Sequence, residues 1–277
     1  MAIDYATKYS DAVDEKFKEV SKSDQCVNQD YDFTGGKAVK VYNISTAPMN
    51  DYDREGAGST FSRYGTVSNL EATTQELILS KDRSFTFAID KMDSDETSMA
   101  LQAGTALDRQ LREVVVPEID TYRFGKMCAG AGTTATAAAL TKSNIYDAIT
   151  TGTETLDDAE VPQDGRFIVV TPATYKLMKL SSDIVLDTEI GQNMRILGVV
   201  AMYDGMIIIK VPSSRLPENT GFLIGHPMAT CGPVKLAEYK VNDSPQGISG
   251  SLVEGRFYYD CFILNNKKKA LYFYPTA

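Results

Sequence analysis

The sequence predicts an α+β protein, and three features carry that reading. Met99, Ala103, Leu107 and Leu111 recur every four residues and are joined by Val114, Val115, Ile119 and Tyr122, the apolar stripe of one long helix. Arg166-Phe167-Ile168-Val169-Val170 is a continuous apolar run, suited to a strand buried on both faces. Phe85, Phe87 and Ile89 sit on alternate positions, and Leu252 to Leu264 is a long apolar-rich stretch, as expected of antiparallel strands.

Residues 1 to about 35 are polar with sparse apolar anchors. Tyr9, Val13 and Phe17 lie four apart, so Asp4 to Val20 reads as a short amphipathic helix, too short to hold itself folded. Ala38 to Ile44 reads as a strand. Thr46 to Ser68 is a polar excursion, and Glu76–Leu79 and Ser84–Ile89 are two further strands with Lys81-Asp82-Arg83 as the turn between them. A two-stranded arm of this kind is marginally stable alone and needs a partner surface. Asp93, Ser94 and Asp95 offer N-caps to the long helix, with Asp93 and Glu96 at capping-box spacing. Pro117 interrupts that helix and predicts a kink or break; the helix should fade between Gly125 and Gly132.

Residues 141 to 235 read as a compact α/β body. Ser143 caps a helix through Ile149. After the 166–170 strand, Thr171 serves as N-cap with Pro172 at the first helical position. Ile196–Ala201 and Met206–Val211 are strands around the turn Tyr203-Asp204-Gly205, and Phe222-Leu223-Ile224 is another. Residues 234 to 277 read as antiparallel β, with Asn265-Asn266 turning into a last strand.

The composition excludes more than it assigns. A net charge of −9 over 277 residues argues against a protein whose main task is gripping DNA. The run Lys267-Lys268-Lys269 reads as a solvated turn between strands, a phosphate-contacting patch being the minor reading. Cys26, Cys128, Cys231 and Cys261 are too dispersed for a CxxC pair and read as reduced thiols. No apolar run reaches membrane-spanning length, and Met1-Ala2-Ile3-Asp4-Tyr5 does not begin a signal peptide, so a soluble protein made in the cytoplasm is expected.

The search for chemistry finds no catalytic constellation, no cofactor site and no metal spacing. His226 is the single histidine, next to Pro227, and reads as a structural turn residue. Gly130-Ala131-Gly132-Thr133-Thr134-Ala135 fits the loose G-x-G-x-x-A pattern, but a helix precedes it where the dinucleotide fingerprint needs a strand. Asp157-Asp158 and the Asp93/Asp95 pair read as solvated surface. Asn43-Ile44-Ser45 and Asn242-Asp243-Ser244 match the glycosylation sequon, which a cytosolic chain would not use.

Two extended arms, one long helix and one compact body make sense in an assembly where arms lie across neighbours. That layout resembles the capsid fold of tailed bacteriophages, the Johnson or HK-ninety-seven-like fold, and the resemblance spans essentially the whole chain. Three stretches carry it: Leu77-Ile-Leu-Ser-Lys-Asp-Arg-Ser-Phe-Thr-Phe-Ala-Ile-Asp-Lys-Met-Asp-Ser-Asp-Glu96, Val116-Pro-Glu-Ile-Asp-Thr-Tyr-Arg-Phe124 and Arg166-Phe-Ile-Val-Val-Thr-Pro-Ala-Thr-Tyr-Lys-Leu177. Gly221-Phe-Leu-Ile-Gly-His-Pro-Met-Ala229 is similar as well.

The resemblance implies an N-terminal arm (1–35) and an extended β loop (36–90). It implies a spine helix with part of the peripheral domain (91–140), an axial domain (141–235) and return strands of the peripheral domain (236–277). It implies a major capsid protein that self-assembles as pentamers and hexamers into an icosahedral shell, in the virion, after assembly in the host bacterial cytoplasm. The shell encloses double-stranded DNA without sequence-specific binding. Implied partners are a separate scaffolding protein, a portal and decoration proteins; a processed N-terminus in mature particles would count against the separate scaffold. Some members crosslink their shells through a loop lysine, but Lys37 and Lys40 lie at the loop's base and are not assigned that role.

Tyr52, Arg54, Phe61, Arg63 and Tyr64 in the loop are the aromatic and arginine types that interfaces favour, and are the candidate intersubunit contacts. The alternative within the fold is an encapsulin-type compartment shell. An α/β enzyme built on 141–235 lacks a nucleophile, base or cofactor loop, and a tail-tube or decoration protein would be mostly β.

Overall fold

A computed structural model of the chain describes residues 21–28, 30–31, 38–55, 62–96, 103–181, 202–243 and 245–277. The expected arm helix at 4–20 and the strand at 196–201 lie outside the described residues. The chain divides into two units, one formed by the described residues of Phe33–Ile78 and the other by the remainder.

The smaller unit is a two-stranded ribbon. Strands β1 (Ala38–Ile44) and β2 (Ala72–Ile78) pair antiparallel from Ala38 opposite Ile78 to Ile44 opposite Ala72. Past the last paired residues, the Ser45 amide donates to the Glu71 carbonyl, and the Ser45 hydroxyl accepts from the Glu71 amide. The described residues of the polar excursion beyond them form a loop that is mostly exposed.

In the larger unit, β3 (Lys81–Asp90) is a ten-residue strand. Lys81-Asp82-Arg83 is therefore part of a strand and not a turn, and the chain breaks at Leu79-Ser80 instead. The cause is Asp260, buried, whose Oδ2 accepts from the Ser80 amide and hydroxyl, both at 2.8 Å. The β3 strand pairs with β11, not with β2.

Helix α1 (Lys91–Glu96) starts two residues before the expected caps. Asp90 caps it, its Oδ1 accepting from the Met92 amide at 2.8 Å. Met99 lies outside the described residues. Helix α2 (Ala103–Gln110) runs through a wide π turn at Leu111–Val115 into α3 (Val116–Ala129). The chain stays helical through Pro117, so the expected break is absent. Proline sits in the first turn of α3, where its missing N–H matters least, and the looser turn ahead of it absorbs the misfit. The π turn has a second effect. One extra residue per turn rotates everything downstream by about 100°, so the stripe predicted through Ile119 and Tyr122 is only half-buried. The deep face of α3 is Asp120, Arg123, Phe124, Met127 and Cys128.

Beyond β4 (Thr133–Thr134), α4 (Ile145–Asp158) begins after Asn144 rather than Ser143 and continues well past Ile149. Thr150, Thr151, Gly152, Thr153 and Thr155 are weak helix formers, which hides it in the sequence. The four threonine hydroxyls donate to carbonyls one turn back, at 2.8–2.9 Å. Gly152 lets the helix approach the sheet: a Cβ there would lie 2.7 Å from Ile224 Cδ1 and 3.1 Å from the Tyr272 ring.

Strand β5 (Phe167–Val170) and helix α5 (Pro172–Leu180) match expectation, with Thr171 Oγ1 accepting from the Thr174 amide at 3.1 Å. Strands β6 (Met202–Tyr203) and β7 (Met206–Lys210) meet at Asp204 and Gly205, whose φ values of 49° and 72° are those of a tight hairpin turn. Then follow β8 (Thr220–Gly225), β9 (Thr230–Cys231), β10 (Val234–Asp243), β11 (Gly250–Tyr259), β12 (Phe262–Ile263) and β13 (Leu271–Pro275). The long strand expected over Leu252–Leu264 is thus cut at Asp260-Cys261, again where the Asp260 carboxylate gathers its donors.

These strands build two main sheets. One has the order β10-β11-β3, antiparallel throughout. Its Phe85 ring covers Gly255, and Phe85 stacks with Phe87 and Phe257 at centroid distances of 6.2 and 6.3 Å. The helix residues Val114, Val115 and Ile119 share a cleft with Phe85 and Phe257. The other sheet is six-stranded, in the order β4-β13-β8-β5-β7-β6. Both its faces are covered. Ile168 and Val170 of β5 join Ile145, Ile149, Leu156 and Met178 of the helices α4 and α5. Phe167 and Val169 join Phe124, Met127 and Cys128 of α3. The last strand, β13, lies in this sheet between β4 and β8, so the C-terminal segment is shared by both sheets.

Candidate assembly surfaces

Of the five expected contact residues, Phe61 lies outside the described residues. Tyr52, Arg54, Arg63 and Tyr64 are all exposed. The structure brings them together across the loop: the Asp53 amide donates to the Arg63 carbonyl at 3.0 Å, and the Tyr52 and Tyr64 rings meet edge-on at 5.0 Å. Tyr52 is 50% exposed and Tyr64 77%. The same unit shows Tyr42, Ile44, Met49, Val67, Leu70 and Ile78 to solvent. Tyr42, Ile44 and Ile78 were visible in the sequence only as strand residues. A ribbon of two strands has no second layer to cover them, so their face stays open.

The larger unit is held by a buried polar hub that sequence reading missed. Asp120 of α3 is fully buried, and its carboxylate accepts five hydrogen bonds. Ser21 Oγ (2.8 Å), Ser23 Oγ (2.7 Å) and the Ser23 amide (3.3 Å) donate to Oδ1; the Lys22 amide (3.1 Å) and Arg215 Nη1 (2.8 Å) donate to Oδ2. One turn on, buried Arg123 reaches Ser23 Oγ, Asp24 Oδ1 and the Gly232 carbonyl. The segment Ser21–Asn28 is thereby tied to α3. It continues as an extra edge beside β9, with the Asn28 amide on the Thr230 carbonyl at 2.9 Å and the Gly232 amide on the Asn28 carbonyl at 3.1 Å.

The residues screened for chemistry take structural places. His226 Nδ1 accepts from the Met228 amide at 3.1 Å and Nε2 faces the Asp164 carbonyl at 2.9 Å, which fixes the Nε2–H tautomer and closes a turn. The Gly130–Ala135 stretch has α3 before it and contains β4, so it lacks the strand before and the helix after that a dinucleotide loop needs. Asp157 pairs with Arg166 Nη2 at 2.7 Å. Among the described residues, no group of three or more His, Cys, Asp or Glu is placed to hold a metal. No described helix is long and apolar enough to cross a membrane.

The four cysteines are free and buried. Burial pushes Cys128 and Cys261 up to about 12 and Cys231 to about 11, and raises Cys26 further. Tyr122, half-buried and donating to Asp260 Oδ1 at 2.7 Å, is raised too, by its burial first and then by that bond. Each of these groups keeps its proton more tightly when folded. Their contribution is intact below the ordinary thiol range near 9 and is lost as pH rises towards the folded values near 11–12. The urea midpoint is therefore expected to hold between about pH 7 and 8.5 and to fall steadily above about 9; an unchanged midpoint at about pH 10.5 would contradict the burial of the thiols.

No protein-family model and no curated protein matches the chain. Solved structures do, nearly from end to end. The capsid structure of cyanophage P-SCSP1u aligns with a TM-score of 0.77 at 14% identity, over 99% of this chain and 93% of that one. The mature capsid of bacteriophage PhiM1 gives a TM-score of 0.77 at 14% identity, over 99% and 92%. A chain of Mycobacterium phage Che8 gives 0.72 at 17% identity, over 98% and 96%. A mixed α/β chain that aligns along its whole length with these chains has the fold of phage capsid structures.

Proposed function

We propose that this chain is the major capsid protein of a tailed phage or prophage. It self-assembles as pentamers and hexamers into an icosahedral head around double-stranded DNA. The observation that carries this is the alignment over 99% of the chain, and over more than nine-tenths of each capsid chain. The ribbon of β1 and β2 supports it, because so much open apolar surface on a two-stranded element suits a neighbouring copy.

In this reading the chain has the HK-ninety-seven-like organisation. Residues 1–35 are the arm, 36–90 the extended loop, and 91–140 the spine and part of the peripheral domain. Residues 141–235 are the axial domain and 236–277 the peripheral return strands. Tyr52, Arg54, Phe61, Arg63 and Tyr64 contact the adjoining subunit. A separate scaffolding protein guides closure, a portal occupies one vertex, and assembly takes place in the host cytoplasm. The subunit performs no reaction; its chemistry is docking. Phage capsids, rather than enzyme compartments, are the named neighbours, so the encapsulin reading has no observation in its favour.

Sedimentation tests this. Co-expressed with its scaffolding protein, the chain is expected to sediment as uniform particles of many copies; a small species alone under those conditions would refute the proposal.

A further inference from the structure

The acidic chain gathers an unexpected group of cations at one end of α3. Lys81 and Lys126 hold their ammonium groups 5.0 and 5.6 Å from the centre of the Tyr122 ring. The backbone of Lys267–Lys269 lies against the same helix end. The Gly130 amide donates to the Lys126 carbonyl at 2.9 Å, and the Gly132 amide to the Lys268 carbonyl at 3.0 Å. A Cβ on Gly132 would lie 2.4 Å from that Lys268 oxygen, so only glycine lets the two segments approach so closely. Lys81, Lys126, Lys268 and Lys269 are exposed and Lys267 is half-buried. Among the described residues, none of the five has an acidic partner within ion-pair distance.

A helix C-terminus attracts lysine, but its partial charge is only about half an electron. Lys126 in the last turn is enough to answer it. Asp260, whose buried carboxylate accepts from the Tyr122 hydroxyl, supplies one negative charge beside them, and the four other lysines outnumber it on a chain whose net charge is −9. Like charges held together cost energy unless an anion answers them.

We propose that Lys81, Lys126, Lys267, Lys268 and Lys269 form a contact surface for the phosphate backbone of double-stranded DNA. This deepens the reading of the chain as a shell around such DNA and rests on it. Flexible ammonium groups without a fixed acceptor suit an even array of phosphates and read no sequence. The aromatic at the centre, Tyr122, is covered by two lysines and half-buried, so the patch offers no platform on which an unpaired base could stack. Duplex is therefore favoured over single strand. The net charge of −9 on the whole chain keeps the grip weak and salt-sensitive.

The test is binding of the full chain to a short fluorescent duplex, followed by anisotropy across a salt series. With five phosphate contacts, the affinity is expected to fall about 500-fold between about 50 and 200 mM salt. The variant Lys267→Gln/Lys268→Gln/Lys269→Gln is expected to bind more weakly and to lose only about 12-fold over that range. Lys176→Gln/Lys179→Gln, on α5, is expected to behave as wild type. An unchanged melting temperature of the triple variant separates lost binding from lost folding. No salt-dependent binding by the wild type, or a triple variant with the wild-type slope, overturns the proposal. So does an equal loss in the α5 variant, or tighter binding to single strand. Salt-sensitive self-association lost in the triple variant, without DNA binding, would also overturn it and assign the patch to an acidic face of another copy. Particle formation scored in the same preparations keeps this outcome apart from the capsid reading: closed shells with no DNA contact refute the patch alone.

Discussion

Asp120→Ala is expected to cost the larger unit about 3–5 kcal/mol. The carboxylate is wholly buried and accepts five hydrogen bonds, one from buried Arg215. Replacing it with a methyl leaves the guanidinium without its counter-charge and several donors without an acceptor, and each unmet buried group carries its full desolvation penalty. Because Ser21, Lys22 and Ser23 are the other donors, the loss should also free the Ser21–Asn28 segment from α3. Urea denaturation is expected to show a lowered midpoint, and limited proteolysis to show faster cleavage before Asn28. At about 2–4 °C per kcal/mol, the melting temperature should fall by roughly 6–20 °C. A loss below about 1 kcal/mol would show that the hub does not hold the segment.

Removing Asp51–Tyr64 is expected to have the opposite profile. It deletes Tyr52, Arg54, Phe61, Arg63 and Tyr64, and those of them described are exposed. The β1–β2 pairing ends at Ile44 and Ala72, outside the deletion. Unfolding free energy should therefore change by no more than about 0.5 kcal/mol, as for ordinary surface changes, while particle formation is lost. Interfaces concentrate their energy in a few aromatic and arginine anchors, and the exposed Tyr52–Tyr64 pair is the proposed anchor. Normal particles from the trimmed chain would remove this loop from the assembly contacts.

The two variants separate what holds the subunit from what is proposed to join subunits, and the sequence spoke unequally about them. Elements governed by local chemistry were legible. Thr171-Pro172 announced the start of α5, Asp204-Gly205 the β6–β7 turn, and the unbroken run Phe167–Val170 a strand with cores on both faces. The proposed loop contacts rest on residue types, aromatics and arginines in a polar segment, and the structure leaves Tyr52, Arg54, Arg63 and Tyr64 exposed.

What stayed hidden depends on partners far away in the chain. Asp120 and Arg215 are 95 positions apart, and nothing near either marks it as buried. Asp260 reads as one more strand residue, yet its contacts with Ser80 and Tyr122 move one predicted turn back to Leu79-Ser80 and end one predicted strand early. The π turn at Leu111–Val115 was invisible to a count of every fourth residue, and it turned the deep face of α3 from Ile119 and Tyr122 towards Asp120, Arg123 and Phe124. The sequence signal for α4 stops at Ile149 because its threonines are poor helix formers, whereas their hydroxyls bond back to the helix and Gly152 lets it settle on the sheet.

Electron microscopy of the negatively stained, purified particles tests the central claim most directly. The chain would be expressed with its scaffolding protein. Closed shells or tubes with five- and six-fold clusters of subunits are the expected result, and their diameter would fix the number of copies. A uniform small species in the presence of the scaffold would contradict the account.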